Sequence, residues 1–139
     1  VSTCGGLALA NAGLGAVHGF ASVIGGKTNA PHGEICGALL PAVLACHAQK
    51  AKQNTEISQR LDWVFSQIDQ NFAAQSPCTA LDELRNWSRA QGLRGLHAMG
   101  LQPQDHADIA IAAAGSSSMR ATPFPMTQAD RLQMLNAAG

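Results

Sequence analysis

The sequence predicts an all-α fold, a helical bundle, and three observations predict it. Apolar residues recur at helical spacings of three and four, no stretch sustains apolar/polar alternation, and β-branched residues are sparse. At 139 residues the chain fits one domain, residues 1–139, long enough to bury a core.

Each element has its own signal. The first helix is expected over residues 5–24, ending at Gly25-Gly26, where glycine would supply the left-handed turn past a C-terminus. A second should start after His32-Gly33 and run through Leu39, Leu40, Val43 and Leu44 to about Lys52. Pro41 lies inside it, so a kink or local break is expected there. Asn54 or Thr55 can cap a third helix, in which Ile57, Leu61, Val64, Phe65, Ile68 and Phe72 form a single apolar face. Ser76-Pro77 breaks the chain, and Thr79 with Asp82 resembles a capping box opening a helix with Leu81, Leu84 and Trp87. Gly92, Gly95 and Gly100 punctuate an irregular connection carrying Leu93, Leu96 and Met99. Pro103 suits the first turn of a helix with Ile109 and Ile111, reaching about Ala114 before Ser116-Ser117-Ser118 interrupts it. Pro123 and Pro125 bound a turn, and Thr127 with Asp130 starts a last helix through Leu132 and Leu135. The count comes to six or seven helices, with no internal repeat.

Composition narrows the partners. Nine Lys+Arg balance nine Asp+Glu, so no net field steers the chain to nucleic acid or to an anionic membrane. Charged residues are 13% of the chain, against about 25% in a typical soluble domain. So little charge among so many small residues implies that a second domain or a partner subunit covers part of the surface. Cys4, Cys36, Cys46 and Cys78 form no CxxC, which reads as free cysteines buried in helices of a reducing, cytoplasmic protein. The start Val1-Ser2-Thr3 has no Met and no signal-peptide pattern, and reads as the tail of a longer protein. Residues 7–24 carry no formal charge and approach the length of a membrane span. They include Asn11, His18, Ser22 and several glycines, without a basic cluster or aromatic belt beside them, so a buried core helix explains the run.

The chemistry concentrates in residues 11–32, where His18 and His32 stand fourteen residues apart around a glycine-rich turn. Six residues of helix rise roughly 9 Å beyond His18. Eight further residues at about 3.3 Å each can bring the chain back to its level. Pro31 narrows the backbone before His32. Gly15 and Ser22 share the His18 face and leave space around the imidazole. Gly13, Gly15 and Gly19 each cost a helix interior about 1 kcal/mol relative to alanine, and close approach of a neighbour offsets that. Two converging imidazoles can hold a metal ion. From spacing alone, tight packing around two hydrogen-bonded histidines is the simpler account.

The run from Asn11 through Gly19 (NAGLGAVHG), Gly25-Gly26, Pro31-His32-Gly33 and Leu39-Leu40-Pro41 resembles the iron-containing (group III) alcohol dehydrogenases. The tail from Ser116 to Pro123 (SSSMRATP) and the Met126-Thr127-Gln128-Ala129-Asp130 helix start are similar to the end of that family. The likeness spans nearly the whole chain but only the family's C-terminal helical domain. It implies the metal-binding part of a dehydroquinate-synthase-like two-domain enzyme whose N-terminal α/β domain, outside this chain, binds NAD or NADP. It implies a divalent metal, Fe2+ or Zn2+, held by one Asp and three His, with His18 and His32 matching the last two histidines. The implied reaction passes a hydride between an alcohol, or its aldehyde or ketone product, and the nicotinamide, the metal activating the substrate oxygen as a Lewis acid. A homo-oligomer is the expected assembly. Many relatives carry a further histidine four residues after the first of these ligands. Ser22 stands there, and a hydroxyl cannot relay protons by titrating near neutral pH. A glycerol-dehydrogenase-like, maleylacetate-reductase-like or dehydroquinate-synthase-like enzyme is the nearest alternative, and a non-catalytic helical interaction domain the alternative from another class.

Other residues read more simply. His47 beside Cys46 is a surface or packed histidine, and His97 and His106 read as solvated. Glu34 could orient the His32 ring, although an acid at a helix N-terminus is the simpler account. The methionines, Trp63 and Trp87 are expected in the core, and Lys50, Lys52, Arg60, Arg85, Arg89 and Arg94 on solvated faces.

Overall fold

A computed structural model describes residues 2–72 and 80–139, and among these every regular element is helical. The helices are α1 (Ser2–Ala12), α2 (Ala16–Lys27), α3 (His32–Ala51), α4 (Thr55–Phe72), α5 (Ala80–Ala90), α6 (His106–Ala114), α7 (Ser117–Arg120) and α8 (Gln128–Ala138), with a 3-10 turn at Pro103–Asp105. The expected Ser76-Pro77 break and Thr79 capping residue lie outside the described residues.

The α2–α3 pair forms the centre. α6 and α7 pack on α2, α8 packs on both α3 and α6, and the α4–α5 hairpin lies against the other side of α3. The core seam is built of Phe20 and Ile24 from α2, Ile35 and Leu39 from α3, Leu96 and Leu101 from the irregular connection, and Met134 and Leu135 from α8, all fully buried. Each such side chain contributes about 1.5–3 kcal/mol by leaving water.

The chain corrects several expectations. The helix expected over residues 5–24 is two helices bent by 98°. Gly13 has φ 71°, a left-handed conformation that ends α1, and extended Gly15 starts α2. No single helix among the described residues is long and apolar enough to cross a membrane. Gly25 and Gly26 supply no left-handed turn; α2 runs through them to Lys27, and extended Thr28 ends it with its hydroxyl on the Ile24 carbonyl. α3 continues unbroken through buried Pro41. Splitting the first helix and adding one-turn α7 brings the count above seven.

Trp63 and Trp87 are not core residues: they are 65% and 50% exposed. The apolar stripe of α4 faces α3 and α5, and Trp63 stands outside it, next to Asp62 on the wet side. Met99, Met119 and Met134 are buried as expected. Of the described cysteines, all free, Cys46 is buried, Cys36 half-buried and Cys4 exposed on α1, where every residue from 3 to 12 is exposed. The basic residues are less idle than expected, since Lys50 pairs with Asp130, Arg85 with Asp82 and Arg60 with Glu56.

The helix starts follow local chemistry. Asn54 accepts from the Ile57 N–H ahead of α4, Ser116 caps α7 through the Met119 N–H, and Thr127 and Asp130 form a reciprocal capping box on α8. Lys27 at the end of α2 bonds Asp105 at 2.7 Å, and that bond holds the Asp105 carboxyl below the usual carboxylate range.

Candidate metal centre

Gly19 decides how α2 sits. A Cβ there would meet the Ser116 hydroxyl at 3.0 Å and the Met119 backbone nitrogen at 3.1 Å, so only glycine lets the start of α7 lie so close. That contact buries one side of α2 and leaves His18, one residue earlier, on the side facing α3. Next to Gly15 the space is open, and an added Cβ would touch nothing. The close-approach account of the glycines therefore holds at Gly19 and not at Gly15, where a side chain would meet no neighbour.

His32 is the first residue of α3. Pro31 precedes it with φ −60° and ψ 135°, the extended geometry that sets the direction of helix entry. The two elements bring His18 Nδ1 and His32 Nε2 to 3.1 Å, with ring centroids 5.2 Å apart and planes tilted by 32°. His18 is half-buried and His32 exposed, so the pair lies at the edge of the core, open on one side.

A third donor completes the cluster. Cys36 Sγ lies 3.4 Å from His32 Nε2 and 3.9 Å from His18 Nδ1. Among the described residues this is the one group of three His, Cys, Asp or Glu donors lying within 4.8 Å of one another. Burial pushes the Cys36 thiol up from its ordinary range. The sequence reading missed Cys36, although His32-x-x-x-Cys36 is an i, i+4 pair that projects from one helix face.

The spacing fits one divalent ion. Two imidazole nitrogens at about 2.0–2.1 Å from a tetrahedral zinc lie roughly 3.3–3.4 Å apart, and a thiolate sulfur at about 2.3 Å lies roughly 3.5 Å from each. Without an ion, the same 3.1 Å contact is a hydrogen bond in which one ring N–H donates to the other ring's lone pair.

The surroundings divide into residues at the site and residues engaged elsewhere. Ser22, one turn beyond His18, donates its hydroxyl to the Gly19 carbonyl at 3.1 Å, a bond within its own helix. Glu34 does not orient His32; its carboxylate takes two bonds from Arg94, at 2.8 and 3.0 Å, which ties α3 to the connection. His106 is not solvated but 3% exposed, its Nδ1 on Asn136 and its ring stacked on exposed His97 at 5.5 Å. His47 is packed, as one of its two readings had it, edge-on to Phe124 at 5.9 Å, and burial pulls its pKa below the ordinary value. An open, mostly apolar groove of about 440 Å3 runs from His18 and Cys36 past Leu40 and Leu44 to His47.

Fold and cluster together define an all-α domain in which two histidines and a cysteine, side chains that could hold a metal ion, gather between its two central helices. The chain belongs to the Fe-containing alcohol dehydrogenase family: the model for the family's C-terminal part matches residues 1–139. It is similar to the probable alcohol dehydrogenase EutG of Salmonella typhimurium (strain LT2), with 27% identity over 139 residues that cover 99% of this chain and 33% of EutG. The chain thus spans about a third of the length of this curated relative. Family and fold agree with the resemblance read from the two ends of the sequence.

Proposed function

We propose that this chain is the metal-binding helical domain of an NAD(P)-dependent alcohol dehydrogenase, with His18 and His32 supplying part of the shell of a divalent ion. The observation that carries the reading is the 3.1 Å approach of His18 Nδ1 and His32 Nε2 from two different helices. Neutral imidazoles suit Fe2+ and Zn2+. The ion, when bound, supplies Lewis acidity toward an alcohol or carbonyl oxygen. His18 and His32 would hold the ion beside the groove that His18 lines, and the apolar wall of Leu40 and Leu44 would keep water from one side of a bound substrate. Ser22 can donate to a substrate or cofactor oxygen only by turning away from the Gly19 carbonyl, although its oxygen is free to accept.

The dinucleotide site belongs, in this reading, to an N-terminal α/β domain, which fits a chain matching a third of its relative. The exposed Leu7, Leu9 and Leu40 support a cover supplied by that domain or by a second subunit. Alanine at His18 or His32 in the full-length protein should remove bound metal, read by elemental analysis, together with turnover of alcohols and aldehydes. Unchanged metal content in both variants would overturn the reading. A substrate panel run with NAD and with NADP then separates alcohol dehydrogenase from glycerol dehydrogenase, maleylacetate reductase and dehydroquinate synthase chemistry.

A further inference from the structure

We propose that Cys36 is a third donor from this chain to the ion held by His18 and His32, and that its sulfur biases the site toward Zn2+ and away from Mn2+. The inference rests on the histidine reading and adds the thiol to it.

Four observations converge on the sulfur. Cys36 Sγ lies 3.4 and 3.9 Å from the two imidazole nitrogens, distances within about 0.4 Å of those that one tetrahedral zinc with mixed N and S ligands imposes. His32 and Cys36 are an i, i+4 pair in one helix, the spacing at which two side chains on a helix face chelate a single ion. Among the described residues, the polar atoms within bonding reach of Cys36 Sγ belong to these two histidines, so no competing bond holds the sulfur elsewhere. Cys36 also lines the groove beside His18, which places its sulfur on the accessible side of the site.

The chemical consequence follows from ligand softness. Thiolate favours zinc, whereas Mn2+, the weakest binder of the first-row series, prefers oxygen. On coordination the sulfur exchanges its proton for the metal, and the proton leaves to water. A His–His–Cys face should therefore discriminate between the two ions more strongly than the histidines alone.

The test uses the full-length protein, with Co2+ as a spectroscopic probe and with Zn2+ and Mn2+ in competition. Wild-type protein loaded with Co2+ should show a sulfur-to-cobalt charge-transfer band in the near ultraviolet, and Cys36→Ser should lose it. Cys36→Ser should lower Zn2+ affinity by at least about tenfold while Mn2+ affinity stays within about threefold. A merely structural role for the sulfur would lower both affinities alike. The wild-type spectrum needs no variant, so misfolding of Cys36→Ser leaves the question decidable. Loss of metal in His18→Ala and His32→Ala, with no charge-transfer band in the wild type, would overturn the role of Cys36 and leave the histidine reading standing. Retention of metal in both histidine variants would overturn both.

Discussion

The α2–α3 pair and the α4–α5 hairpin are built on opposite plans. In α4 the apolar residues fall on one stripe and the charged residues on the other face, yet Leu61 is the one buried residue of the helix, and Trp63 is mostly in water. In α2 there is no such stripe, because glycine, alanine and small apolar residues go all the way round, yet Ala16, Gly19, Phe20, Ala21 and Ile24 are buried. A strong stripe marks a helix with one packed side and one wet face. A helix without one is packed on several sides, and α2 is packed by α3, α6 and α7. His18 sits on the second kind of helix, where the close packing of Ala16, Gly19, Phe20 and Ala21 around it fixes the backbone that carries its ring.

The largest expected effect tests whether chemistry belongs to the first pair alone. His18→Ala or His32→Ala should lower turnover by more than about a hundredfold, since loss of an outer partner alone costs 10–100-fold. Arg60→Ala on α4 breaks the 2.7 Å pair with Glu56 between two side chains that are both mainly exposed. It should leave turnover unchanged and stability within about 0.5 kcal/mol. Steady-state rates and denaturant melts of the three variants decide it.

Stability should divide in the same way. Phe20 is 0% exposed at the centre of the core, and Phe20→Ala should cost about 3–5 kcal/mol in urea unfolding. Phe65 is only half-buried on α4, and Phe65→Ala should cost about 1–2 kcal/mol. Equal costs would mean that the hairpin shares the central core.

The glycines give a smaller and sharper contrast within one helix. Gly19→Val would press on the Ser116 hydroxyl and the Met119 backbone, and overpacking of this kind costs about 1–3 kcal/mol. At Gly25 an added Cβ meets only Ile35 Cδ1 at 3.9 Å, an ordinary contact. Gly25→Ala should stabilise by about 0.5–1 kcal/mol. Melting temperatures of the two variants should move in opposite directions.

These contrasts also explain what the sequence could tell. Helix existence, the Asn54 and Thr127 caps and the meeting of His18 with His32 were legible, because caps, apolar spacing and loop reach are local properties. The break at Gly13 was not, since glycine is tolerated inside a helix and only the packing of the surroundings selects the left-handed conformation. Trp63 and Trp87 were misplaced because size predicts burial only when the face is known. His106 was misplaced because its partner, Asn136, lies thirty residues away on α8. Cys36 was overlooked for a different reason. Its spacing from His32 was visible, but a lone cysteine in a helix is ordinarily a small core residue, and only the return of His18 from α2 makes it one of three donors.

The smallest effect is a pH slope, and it marks how far the dry side of α3 extends beyond its His32–Cys36 end. His47 sits between Phe124 and the apolar end of the groove, and its Nε2 is buried with no hydrogen-bond partner among the described residues. Burial disfavours the imidazolium, so the folded chain holds its pKa below the ordinary histidine value of about 6.5. Below that value the unfolded chain binds the proton more readily than the folded one. The contribution of His47 is therefore fully present above about pH 6.5 and is lost as the pH falls through the folded value. His47→Leu keeps the apolar contacts and removes the proton site, so its stability should fall less than that of the wild type between about pH 7.5 and 5.5. The two proteins differ at this one side chain, so the difference between the two slopes isolates His47. Parallel slopes would place its ring in contact with water, and the dry wall of the groove would then end at Leu44.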